Sequence, residues 1–353
     1  MPATSCTPSR GPLHLAVALD GPRPRPVGPR TARRRPERYT AEHYVRLARL
    51  AERGGLDFVT LGDSFARPGP DALAVLARVA PATERIGLVP TVTTTHTEPF
   101  HLATAVATLD WVSHGRAGWT ADVSTTTAEA RLFGRRPAAP ADALWHEAGE
   151  VAEAATLLWD SWEDDAEIRD RATGRFLDRD KLHYADYRGT TFSVRGPSTV
   201  PRPPQGHPVI VIDATDRAVR EVAAAHADVA LVRATRPETA GAARAELRAL
   251  AGTHGRDPDR LRVLASLPAE LYASGDAVRL AGRLGEWYAD GAADGFHLRL
   301  ADPPRDLPLL VDGTVPVLQH RCLLRRFYPG ATLREHLGLP RPVNRHVRVR
   351  ESV

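Results

Sequence analysis

The sequence has no apolar run long enough to cross a membrane: the roughly eighteen consecutive apolar residues that a spanning helix requires occur nowhere in its 353 positions. The opening MPATSCTPSRGP lacks the apolar core of a secretory signal and the pattern of an amphipathic presequence. A cytoplasmic location with no membrane partner is therefore the expectation. Cysteine is scarce. Cys6 and Cys322 cannot build a disulfide framework and have no metal-ligand spacing, so two free thiols and no bound metal are expected. Lysine is scarcer still: Lys181 stands alone among 47 basic residues, the rest being arginine. With abundant Ala, Pro and Gly, that bias points to a GC-rich coding sequence more than to a nucleic-acid partner. The one dense basic stretch, residues 23–38 (RPRPVGPRTARRRPER), is interrupted by proline and has no interleaved aromatics. It reads as a solvated loop, with a nucleic-acid arm as the alternative. No G-x-G-x-x-G turn follows the first apolar run, which argues against an open dinucleotide-binding sheet.

What is present is an alternation of short apolar runs and amphipathic segments. The runs are LHLAVAL, LDFVTLG (56–62), IGLVPT (86–91), RAGWTADV (116–123), PVIVID (208–213), DVALVRA (228–234), LRVLASL (261–267) and DGFHLRL (294–300). Helical patterns follow them at 39–55, 71–85, 98–113, 143–162, from Asp216, at 237–255, at 276–293, and to about residue 328. Near-continuously apolar strands between amphipathic helices imply a parallel sheet covered on its faces. Eight such units predict an α/β fold, a (β/α)8 TIM-type barrel, with a polar surface excursion over 163–207 and a hairpin around 189–196. The expected organisation is a disordered N-terminus over 1–12, one barrel domain over 13–335 and a tail over 336–353. In such a barrel the site lies at the C-terminal ends of the strands. The positions to watch are Asp63, Thr93 to His96, Thr120 to Ser124, Asp213 to Asp216 and the residues after Leu298.

At these positions the sequence resembles a known family. ATERIGLVPTVTTTHTEPFHLATAVATLDWVSHGRAGW, LLWDSWEDDA (157–166), DKLHYADYRGTTFSVRGPSTVPRPPQGHPV (180–209), GAADGFHL (291–298) and VPVLQHRCLLRRFYPGATLREHLGLPRPVN (315–344) lie in the order seen in luciferase-like flavin-dependent monooxygenases. The branch is that of nitrilotriacetate monooxygenase, dibenzothiophene-sulfone monooxygenase and pristinamycin IIA synthase. The resemblance implies a bacterial-luciferase-like barrel, FMN delivered reduced by a separate flavin reductase, O2 as co-substrate, a small-molecule substrate, and a homodimer or homotetramer; the altered loops point to a specialised substrate of secondary metabolism.

The resemblance assigns residues, and this sequence departs from several of them. Asp63 stands where the family keeps an acid near the flavin; a loop cap is the alternative role. Thr93, Thr94, Thr95 and His96 stand for an S-T-T-Y pattern at the flavin edge, with His96 the one catalytic acid–base candidate. In GRAGWTADVS, Thr120 replaces the family's Asn and Val123 its Thr, whereas Ser124 matches. Leu144-Trp145 replaces an Arg-Tyr pair whose hydroxyl meets the flavin phosphate. VIDATDRAV replaces the Q-A-G-x-S-x-x-G phosphate cradle, leaving Ala214, Thr215 and Asp216 at its centre. A carboxylate at Asp216 repels a phosphate dianion by on the order of 1–4 kcal/mol, one to three decades of affinity, unless Arg217 or Arg220 compensates. The segment 264–280 lacks a long helical insertion found in the family, which implies a more open site. Two readings remain open: a two-component FMN-dependent monooxygenase, and a family member whose degraded flavin site leaves no cofactor, acting as a cofactor-independent enzyme or a binding or regulatory subunit. A deazaflavin hydride-transfer enzyme is a third.

Overall fold

A computed structural model describes residues 11–21, 39–66 and 68–347. The expected disordered stretch therefore lies, apart from Gly11 and Pro12, outside the described residues, as does the Arg/Pro-rich segment 23–38.

Eight parallel strands close into a barrel: β1 (His14–Ala18), β2 (Phe58–Leu61), β3 (Gly87–Thr93), β4 (Gly118–Asp122), β5 (Val209–Asp213), β6 (Val229–Arg233), β7 (Arg262–Ala269) and β8 (Gly295–Leu300). They stand in sequence order around the ring, and β1 pairs with β8 to shut it. Each of the eight apolar runs becomes one of these strands, because a barrel strand is buried on both faces and tolerates few polar positions. The covering helices are α1 (Ala41–Arg53), α2 (Ala72–Val79), α3 (Pro99–Val112), α4 (Thr127–Phe133), α5 (Ala141–Asp160), α6 (Arg220–His226), α7 (Pro237–Thr253), α8 (Ser274–Ala289), α9 (Pro303–Leu309), α10 (Val315–His320) and α11 (Leu333–His336).

Local chemistry sets the ends of these helices. Thr40 caps α1 by accepting from the His43 amide, and Asp71 caps α2 by accepting from the Ala74 amide. Each such cap contributes about 1 kcal/mol. The pattern at 71–85 yields a shorter helix than expected: α2 stops at Val79, and Pro81 turns the chain into a single 3-10 turn over Ala80–Ala82. The pattern at 276–293 likewise ends early, where Gly291 adopts φ +74°. The excursion holds two small hairpins, Glu167–Asp170 with Arg175–Leu177 and Tyr187–Arg188 with Ser193–Val194. The second is the one anticipated around 189–196. Cys322 is disulfide-bonded, a correction to the expected free thiol; Cys6 lies outside the described residues.

The barrel interior divides into two regions. Toward the N-terminal ends of the strands, Ala16, Phe58, Val89, Val209, Val211, Val229, Leu231 and Leu264 form an apolar cluster that Leu333, Leu337 and Leu339 complete from below. Glycine is demanded here by close approach. A Cβ on Gly295 would meet the His14 carbonyl oxygen at 2.2 Å, and one on Gly87 would meet Leu333 at 2.6 Å. The segments that carry the resemblance tie this end together. The buried Gln205 side chain donates to Asp110 (2.6 Å) on α3 and to the Ala117 carbonyl (2.8 Å), and accepts from the Arg334 amide (2.8 Å) on α11. Trp162 donates to the Ser198 carbonyl, Asn344 donates to the carbonyls of Asp160 and Trp162, and Arg202 reaches Asp160 at 3.0 Å. These family blocks are therefore structural: they hold the excursion and the chain after α11 against the barrel.

Candidate active site at the strand ends

Strand register shows which side chains line the opposite, C-terminal mouth. Side chains two apart on a strand share a face, and directly paired residues of neighbouring strands do as well. Val211 and Leu231 belong to the interior cluster, so Asp213 and Arg233 follow them on the inner face. Val211 pairs with Thr120, and Thr120 with Thr91, which places both threonines inward. Ala16 pairs with His297, so His297 and then Arg299 point inward from β8. The lumen therefore turns from apolar to polar along its axis. His297 marks the transition. It is buried, with Nε2 2.9 Å from the Thr60 hydroxyl and Nδ1 3.0 Å from the Ser266 hydroxyl. Desolvation first, then the nearby Arg299 charge, push its pKa from 6.5 down to about 4, so the imidazole is neutral at neutral pH.

The loops after β2, β3 and β4 are knitted together. Thr94 donates to the Asp122 carbonyl, and the Thr95 hydroxyl accepts from the Ser124 amide at 2.9 Å. Arg136 bridges Glu147 and the Thr95 carbonyl. His96 stacks on Phe133, with ring centroids 4.4 Å apart, beside Phe65. Burial and then Arg136 lower the His96 pKa. Three polar atoms of this group are buried without a partner among the described residues: His96 Nε2, Thr120 Oγ1 and Ser124 Oγ. A buried polar atom without a hydrogen bond costs about 1–3 kcal/mol, so three at one mouth mark a surface built to receive a polar ligand.

The expected site residues fall into separate groups. His96, Thr93, Thr95, Thr120 and Ser124 come together at the ends of β3 and β4. Both oxygens of Asp63 are occupied by backbone, accepting from the Ser64 amide (2.7 Å) and the Ala72 amide (3.0 Å), so its carboxylate fastens the β2 loop to the start of α2. Trp145, half-buried on α5, packs on the outer core between sheet and helices. Ala214, Thr215 and Asp216 follow β5, where a phosphate cradle was anticipated. Asp213 there accepts from the Thr215 amide and hydroxyl and pairs with Arg233 at 2.8 Å. Asp216 accepts from the Ala218 amide at 3.0 Å. Arg217 and Arg220 both pair with Glu246, at 2.8 and 2.5 Å. The loop's own carboxylates thus hold two of its amides, and the two arginines are committed elsewhere.

His297, Arg299, the Arg233–Asp213 pair and the Phe65–His96–Phe133 stack did not stand out in the sequence. Position beyond Leu298 pointed at Arg299, but only register shows that it faces the lumen. The short helix α4 is not among the expected elements, although its capping box, Thr126 with Glu129, stands in the sequence. The connection after β7 is indeed short, residues 270–273. Two surface clefts lie on the outside of the barrel, away from the strand ends. One is at the Tyr187–Arg188 hairpin, and the other lies between α5 and α6, lined by His146, Glu150, Glu221 and His226.

Known proteins agree with this architecture. An N-acetyl-S-(2-succino)cysteine monooxygenase of Bacillus subtilis (strain 168) is 30% identical across 87% of this chain and 92% of its own length. Its alignment runs over 404 positions, more than this chain's 353 residues, so that relative carries insertions. One of the subunits of the pristinamycin IIA synthase of Streptomyces pristinaespiralis is 33% identical, covering 86% of this chain and 90% of its own, over only 305 positions. Among solved structures, an EDTA monooxygenase from Chelativorans sp. BNC1 superposes with a TM-score of 0.83 at 24% identity, over 94% of this chain and 99% of that one, and so shares the fold. The family model "Luciferase-like monooxygenase" matches residues 26–279. With its eight-stranded barrel and its polar mouth, this chain belongs to the luciferase-like monooxygenase family.

Proposed function

We propose that the chain takes part in a two-component, flavin-dependent monooxygenase reaction that oxygenates a small organic molecule of secondary metabolism at the barrel mouth, with O2 as co-substrate and a separate flavin reductase as partner. The observation that carries this is the trio of unpartnered buried atoms, His96 Nε2, Thr120 Oγ1 and Ser124 Oγ, at the strand ends of a chain with monooxygenase relatives. Reduced FMN would supply the oxygen-activating chemistry. The two ends of the site differ in their fit to it. Thr93, Thr95, Thr120 and Ser124 offer hydroxyls suited to a polar ring edge. The loop at Ala214, Thr215 and Asp216 does not fit a phosphate: Asp213 and Asp216 already hold two of its amides, and Arg217 and Arg220 answer to Glu246.

That misfit favours a second reading, a subunit that does not hold FMN and works beside a longer family member. The relative of matching length, which aligns over 305 positions, is itself one subunit of a synthase. The four-residue connection after β7 leaves no room for an insertion there. Titration with oxidised and chemically reduced FMN, followed by fluorescence or calorimetry, separates the two readings. Binding at micromolar concentration supports the catalytic reading. No binding of either form at high micromolar concentration sinks it. Light scattering then distinguishes a homodimer or homotetramer, which belongs to the first reading, from a complex formed only on co-expression with a longer luciferase-like chain.

A further inference from the structure

Arg299 is an inward-facing charge at the mouth that the described residues leave unanswered. It has no hydrogen-bond or ion-pair partner among the described residues, and its Nε is buried. Register gives the reason. Its lateral neighbours are Ala18 on β1 and Pro268 on β7, whose side chains offer a guanidinium no acceptor. His297, two residues back on the same face, has both ring nitrogens bonded to hydroxyls and carries no charge to offset it. The field of Asp213 reaches Arg299, but that carboxylate is taken by Arg233, the Thr215 amide and the Thr215 hydroxyl. Arg233 adds like charge from the neighbouring wall.

An unpaired, partly desolvated guanidinium is costly in a folded chain and is kept where a ligand completes it. We propose that Arg299 is the anchor for a carboxylate of an organic ligand entering the barrel mouth, in a planar two-pronged pair, with Thr120, Ser124 and His96 free to meet that ligand's remaining polar atoms. A planar guanidinium fork matches a carboxylate better than a spherical anion, which is why a carboxylate is named. The proposal rests on the reading of this mouth as the functional site, and it assigns a substrate class to it.

The test uses the full chain and thermal melts in acetate, succinate, citrate and inorganic phosphate at millimolar concentration, with FMN as a separate arm. Succinate or citrate is expected to raise the wild-type melting temperature by several degrees. Arg299→Met is expected to abolish that rise and to melt no lower than wild type without ligand, since it removes an unpaired charge. Arg299→Lys, which keeps the charge and loses the fork, is expected to weaken the carboxylate at least tenfold. Arg175→Met, on the exposed hairpin, leaves the shift intact. Absence of a carboxylate shift in wild type, or an equal shift in Arg299→Met, overturns the proposal. Stabilisation by phosphate or FMN alone that depends on Arg299 overturns it too, by giving the arginine to a phosphate. If FMN fails to bind while the Arg299-dependent carboxylate shift persists, the flavin reading falls and this inference stands.

Discussion

Acid should weaken this protein through its buried histidines, and the one at the middle of the barrel can be isolated. His297 is held between the Thr60 and Ser266 hydroxyls and keeps its neutral form down to about pH 4, against an ordinary 6.5. A group whose folded pKa is depressed contributes stability that is present above the unfolded value and lost as pH falls through the folded one. Between pH 6.5 and 4 the unfolded chain takes a proton on this residue while the folded chain refuses it. The difference of about 2.5 pH units corresponds to roughly 3 kcal/mol at 1.36 kcal/mol per unit. His226 and His336 are depressed to about 4 as well, each first by burial, so the whole protein loses more than this over the same window. The contribution of His297 is isolated by difference. Urea unfolding of wild type and His297→Gln at pH 7.5, 6.5, 5.5 and 4.5 gives two curves of stability against pH. The glutamine can still bond both hydroxyls and cannot titrate, so its curve should fall less steeply by roughly 2–3 kcal/mol across the range. Parallel curves, differing by a constant at every pH, would refute the reasoning: His297 would then be protonated in the fold, and the contrast between its neutrality and the charge on Arg299 would disappear.

Three further outcomes are expected. Asp216→Ser removes an exposed carboxylate from the β5 loop and leaves a hydroxyl that can accept from the Ala218 amide in its place. If a flavin phosphate approaches that loop, affinity for FMN should rise about fivefold, the equivalent of roughly 1 kcal/mol at a solvent-screened position; unchanged affinity in a fluorescence titration would place the phosphate elsewhere. Gln205→Ala strips Asp110 of a side-chain donor inside the buried junction of α3, β4 and α11, and should cost about 2–4 kcal/mol in urea unfolding. A loss under about 0.5 kcal/mol would show that water replaces the amide there. Gly295→Ala drives a methyl into the His14 carbonyl at the seam between β1 and β8 and should lower stability by more than about 3 kcal/mol, measured by thermal melting; a melting temperature within about 2 °C of wild type would mean that the seam shifts to accommodate it.

The barrel was legible in the sequence because its strands are covered on both faces, so each is a bare apolar run such as Val209–Asp213 or Val229–Arg233 between two amphipathic helices. The strand ends were legible as places, since barrel chemistry is confined to them. What those ends contain was less so. The occupation of Arg217 and Arg220 by Glu246 spans 26 to 29 residues and depends on how α6 and α7 pack. The inward direction of Arg299 is a matter of parity against Ala16 and Leu264, which no single strand reveals. Asp63 shows the opposite limit: its type and place suited a ligand contact, and the fold spends both of its oxygens on backbone.

Leu333, Leu337 and Leu339 seal the lumen from below, and β8 must meet β1 before the ring exists. Both requirements join segments far apart in sequence: residues 14–18 with 295–299, and the lumen strands with residues 333–339. During synthesis β1 emerges first and waits, its edge toward β8 unpaired, until the last strand has left the ribosome. The interior valines of β5 and β6 stay open to solvent from below until residues beyond 339 follow. A ribosome stalled before β8 presents an unclosed sheet with two unpaired margins, the kind of surface that chaperones hold and proteases clear.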